Sequence, residues 1–127
     1  MSALYDIVHN LDEQVPYELS KQIEVLSMVL FCISKLQRQA QYAYGQAEAN
    51  RKRAFAHAFR SAEGSAAVRE AIAETATTDF RYIESASEAE LIEWKSAFYA
   101  MQELINAKKQ TLHVLNRELG FGNGVGR

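Results

Sequence analysis

From Tyr17 to Leu119 the chain offers almost no place to turn. That stretch holds no proline and two glycines, Gly45 and Gly64; Pro16 precedes it, and the other four glycines fall in the last eight residues. An all-β sandwich or barrel needs a turn signal about every 8 to 12 residues, so that class is excluded. Long helices remain. At 127 residues the chain suits one domain able to bury a core. Its apolar share is 48%, yet 19 of those residues are alanine, and 17 of the 19 lie between Ala40 and Ala100. The middle of the chain is therefore built of small side chains.

Ser2 is placed to cap a short first helix striped by Leu4, Ile7, Val8 and Leu11. Residues 12–15 read as a link, and Pro16 sits where a helix begins, because its missing N–H costs nothing in a first turn. One helix then runs to about Arg60, roughly 66 Å at 1.5 Å per residue. Leu19, Ile23, Leu26, Leu30 and Ile33 alternate spacings of four and three, the pattern of a heptad seam. Val25, Val29, Cys32 and Leu36 form a second stripe beside it. Two stripes need more than one neighbour, which makes Val25, Leu26, Val29 and Leu36 the expected interface of a homo-oligomer.

Beyond Leu36 the inner face is expected to continue through Ala40, Ala43, Ala47, Ala54 and Ala58, with Tyr42, Tyr44, Phe55 and Phe59 as its bulky exceptions turned to the core. Gly64-Ser65 ends this helix and caps the next, which spans Ala66 to about Thr75. Thr75, Thr77 and Thr78 predict a kink or break. A last helix carries Leu91, Trp94, Phe98, Met101, Ile105, Leu112, Leu115 and Leu119 at three-four spacing. Lys108 alone interrupts that set, and its ammonium is expected to snorkel toward solvent. Gly120 is the expected stop, followed by a flexible glycine-rich tail over 120–127. The fold expected is all-α: a long antiparallel, coiled-coil-like helical hairpin with short flanking helices. It forms one domain over 1–119 and assembles as a homo-oligomer.

Net charge is only −2, but the charges are segregated. Residues 21–60 carry seven bases against two acids, and 61–107 carry three bases against nine acids. A hairpin turning at Gly64 sets the basic run 51–60 opposite the acidic run 79–93.

Several chemistries are missing from the sequence. There is no phosphate-cradling glycine loop ahead of a helix, no cysteine pair, and no Glu-x-x-His motif of a di-iron bundle. His9, His57 and His113 lie on separate expected helices as packing or solvated residues, and Cys32 reads as a small buried hydrophobe. No enzyme, metal or cofactor is expected. The longest apolar stretch, around Met28 to Ile33, is too short to cross a bilayer. The start lacks a signal core, and a single cysteine suits a reducing compartment, so a cytoplasmic protein is expected.

The sharpest local feature is Arg51-Lys52-Arg53, extended by His57 and Arg60 and interleaved with Phe55 and Phe59. Cations that track a phosphate backbone, with aromatics for base stacking, are what single-strand binding requires. Ion pairing with Glu84, Glu88, Glu90 and Glu93 is the competing use of the same cations. Three adjacent helical residues fan over about 200°, so at least one points away from those acids.

The block Glu48-Ala49-Asn50-Arg51-Lys52-Arg53-Ala54-Phe55, continuing ungapped to Gly64, resembles a basic helix end in the UvsY-like recombination mediators of T4-type phages. The order of elements is similar as well. The resemblance implies a homo-oligomeric ring that binds single-stranded DNA, displaces the single-strand binding protein and loads a recombinase. It also implies the cytoplasm of an infected bacterium as the place of action. Arg51 and Lys52 match basic positions of that block, whereas two further basic positions fall on Ala56 and Ala58. Two other readings stay open: a small oligomeric phage protein that inhibits a host defence or replication factor, and an oligomer that sequesters a small nucleotide.

Overall fold

The computed structural model describes residues 11–124, with side chains described over 15–119. The expected helix under Ser2 lies outside the described residues, as do the last three residues of the tail. Three helices follow one another: α1, Leu11–Ser61; α2, Ala66–Ala76; and α3, Thr78–Gly124. No strand occurs among the described residues. The described chain is all-helical.

Two helix ends depart from expectation. α1 starts at Leu11, with Pro16 inside it, so the expected link at 12–15 is helical. Proline's fixed φ suits a helix, and this close to the end its ring disrupts few backbone hydrogen bonds. α3 continues past Gly120 to Gly124. Glycine lowers helix propensity by about 1 kcal/mol against alanine but introduces no clash.

The α1–α2 corner follows the sequence closely. Gly64 adopts φ +116°, and a Cβ there would meet Val68 Cγ1 at 3.2 Å. Ser65 is the N-cap of α2, its side chain accepting the Val68 N–H at 3.3 Å. Arg69 then reaches back to α1. Its Nε donates to the Phe59 carbonyl at 3.1 Å, and its guanidinium lies 4.4 Å from the centre of the Phe59 ring.

The break between α2 and α3 falls at Thr77, within the threonine cluster that predicts it. The hydroxyl of Thr77 donates to the Ala73 carbonyl at 2.9 Å, while its N–H reaches the carbonyls of Ala73 and Glu74. Thr75 and Thr78 donate similarly to the carbonyls of Ala71 and Thr75. Threonines that bond back onto a preceding turn bend helices, and three in four residues end one. Thr77 is only 1% exposed, with Ala73 fully buried one turn before it.

Packing divides the chain into two units. In the first, formed by α1 up to Cys32 and α3 from Tyr99, Leu19, Ile23, Leu26 and Leu30 are half-buried and Ile105 is buried. Lys108 does not simply snorkel there; its Nζ donates to Gln22 Oε1 at 2.8 Å. In the second unit, Ile33–Phe98, the buried set is Ile33, Ala40, Ala47, Ala73, Thr77 and Leu91. Tyr42 and Ala43, both expected inside, are exposed, whereas Tyr44, expected there too, is half-buried. Alternating steps of three and four lead from Ala40 to Tyr44 to Ala47, which rotates Ala43 outward.

The second stripe of α1 stays on the surface. Val25, Val29, Cys32 and Leu36 are all exposed, so Cys32 is not the buried hydrophobe expected; its place in the stripe turns the thiol outward. Val25 and Leu26 join Leu104, Lys21, Gln22 and Lys108 around an open, largely apolar groove in the first unit.

Candidate nucleic-acid interface

The basic run occupies the last three turns of α1, in the second unit. Successive residues there rotate by about 100°, and each cation has its own surroundings. Arg51 points inward. It is half-buried, and its Nε donates to a carboxylate oxygen of Glu84 on α3. Lys52 points outward and pairs with Glu48 one turn earlier, Nζ to Oε1 at 2.8 Å, on an exposed flank. Arg53 and His57 are exposed. Arg60 is exposed too, its Nε donating to the Ala56 carbonyl at 3.3 Å.

Of the four acids expected to face this run, Glu84 alone forms an ion pair with it among the described residues. Glu88 bears instead on Tyr44: its charge is the largest cause raising the Tyr44 pKa, ahead of burial, Glu48 and Glu84, with Arg51 opposing. Glu90 and Glu93 are exposed. The Glu48 carboxyl is held below its ordinary pKa, first by its hydrogen bond from Lys52 and then by the Lys52 charge.

The two phenylalanines of the run form a unit. Phe55 and Phe59 stack, with ring centroids 6.3 Å apart and planes inclined by 18°. Both are half-buried, and they line a shallow open groove with Ala56 and Arg60. The Arg69 guanidinium covers part of Phe59, and the remaining apolar surface, led by Phe55 and edged by Arg60, suits a flat aromatic ligand such as a nucleobase. The sequence placed the phenylalanines against the core; the groove shows that part of their surface is accessible.

Of the expected contact residues, Lys52, Arg53, His57 and Arg60 thus stand on the surface, while Arg51 is engaged within the chain. The stacked pair belongs with them and was legible as the i, i+4 spacing of Phe55 and Phe59. No group of three or more metal-capable side chains occurs among the described residues, and no described helix is long and apolar enough to cross a membrane. Comparison with protein-family models, curated proteins and solved structures finds no match to this chain.

Proposed function

We propose that the chain is a non-enzymatic recombination mediator of the phage type, a homo-oligomer that binds single-stranded DNA in the cytoplasm of an infected bacterium. Its helices act as an antiparallel, coiled-coil-like hairpin, and its protein partners are a recombinase or a single-strand binding protein. The observation that carries this reading is the surface of α1 from Lys52 to Arg60. Three cations and a histidine are exposed there beside the stacked Phe55–Phe59 pair. Phosphate attraction and base stacking are the two ingredients of sequence-tolerant single-strand binding. The Lys52–Glu48 pair is no obstacle, since exposed i, i+4 pairs are worth only about 0.3–0.5 kcal/mol.

Assembly is supported by the apolar surface of α1, where Val25 is 59% and Met28 67% exposed. Contiguous patches of this kind mark interaction sites. Fluorescence anisotropy with a labelled oligonucleotide over a salt series tests the reading. The slope of log affinity against log salt should be about −0.7 per phosphate neutralised. Changing Lys52, Arg53 and Arg60 to Glu should abolish binding and leave helicity intact. Wild-type protein without salt-dependent affinity would leave the interaction-protein reading in its place.

A further inference from the structure

Arg51–Glu84 ties α1 to α3 inside the second unit, and the outward surfaces of the two helices there carry opposite charge. On α1, Lys35, Arg38, Gln39 and Tyr42 line an open groove with no carboxylate among them. On α3, Glu90 and Glu93 are exposed on either side of Ile92, itself 55% exposed. A surface that is basic on one helix and acidic on the other is complementary to a second copy of itself.

The shapes match as well as the charges. Tyr42 is 70% exposed, and one heptad further along α1 is the exposed Ala49. On α3, Tyr82 is 73% exposed, and one heptad further along is the exposed Ala89. When α1 of one copy lies antiparallel to α3 of another with Tyr42 over Ala89, Ala49 falls under Tyr82. The same register sets Arg38 opposite Glu93 and within a turn of Glu90, and brings Gly45 to Ala86. A Cβ at Gly45 would have nothing within 4 Å in its own chain, so the α1 backbone is open to close approach there. Two large side chains each meet a small one, and the cation meets two carboxylates.

We infer that the α1 surface around Arg38 and Tyr42 docks on the α3 surface around Tyr82, Ala89 and Glu93 of a second copy of this chain, head to tail. The inference rests on the homo-oligomeric part of the proposed function and adds a contact in the second unit to the apolar α1 surface around Val25 and Met28. Such a contact is heterologous: each copy offers a different face to each neighbour, and repetition gives a ring or a filament. In this register Thr78, the first residue of the neighbour's α3, lies opposite Arg53.

Sedimentation velocity without DNA tests the contact, with circular dichroism as the control for folding. Arg38→Glu alone, and Glu90→Lys with Glu93→Lys as a second protein, should each sediment as a smaller species than the wild type. Mixed in equal amounts, the two proteins should reassemble, because the reversed α1 of one meets the reversed α3 of the other. Ala89→Glu should also dissociate the assembly, by blocking the seat of Tyr42. A monomeric wild type, variants that keep the wild-type mass, or variants that dissociate and fail to reassemble on mixing would each overturn the inference. Oligonucleotide affinity measured separately keeps the two readings apart. An assembled protein that ignores DNA removes the mediator and leaves this contact, whereas a DNA-binding monomer does the reverse.

Discussion

Arg51 and Glu84, 33 residues apart in the chain, meet through the guanidinium Nε and a carboxylate oxygen in a half-buried contact between α1 and α3. One residue further on, Lys52 faces solvent with 64% of its side chain exposed. A single step along the helix thus separates a cation that holds the fold from one available to a ligand.

That separation predicts opposite consequences for neighbouring substitutions. Arg51→Ala should lower stability by about 1–3 kcal/mol, because it leaves the half-buried Glu84 carboxylate without its partner. Lys52→Ala and Arg53→Ala should each change stability by less than about 0.5 kcal/mol. Urea denaturation of the three variants checks the contrast. Equal losses at all three positions would contradict the inward placement of Arg51.

The α2–α3 break depends on a buried hydroxyl. Thr77→Val keeps the volume but removes the donor to the Ala73 carbonyl, and should cost about 1 kcal/mol. Ala73→Leu should cost more, about 1–3 kcal/mol, because it overpacks a position with no exposed surface. Thermal melts read both.

Gly45→Ala should stabilise the isolated chain by up to about 1 kcal/mol. The added methyl meets nothing within 4 Å, while the helix gains alanine's propensity. Gly64→Ala should destabilise, because the new Cβ would sit in a positive-φ backbone against Val68. Paired melts at low protein concentration distinguish the two glycines.

Two groups of the second unit make its stability depend on pH. The Glu48 pKa is lowered in the folded chain, mainly by Lys52, so its contribution is present above the unfolded carboxylate pKa. That contribution is lost as pH falls through the folded value. The Tyr44 pKa is raised, mainly by Glu88, so stability should decline as pH rises beyond the ordinary tyrosine value of about 10. Glu88→Gln should lessen the alkaline decline and leave the acid side unchanged. Chemical denaturation at several pH values measures both limbs.

Much of the local structure could be read directly. Helical class follows from the lack of turn residues, the corner from Gly64-Ser65, and the break from three threonines that compete for backbone carbonyls. These are short-range effects: each depends on residues within about one helical turn of one another, and no distant partner is needed to decide them. Tyr42, Ala43 and Tyr44 were all expected on the inner face, and that Tyr44 alone of the three turns inward was harder to read. Alanine is small enough for either face, and only the phase of the whole helix distinguishes them.

What the sequence could determine by itself was the period of each helix and the segregation of its charge. It named the basic run but not the assignment of each cation within it. The tertiary structure decided that. With about 100° between successive residues, the rotation at which α1 meets α3 turns Arg51 toward Glu84 and leaves Lys52 and Arg53 outside. That rotation is a property of two packed helices, determined by which side chains interlock between segments far apart in the chain, and neither helix carries it alone.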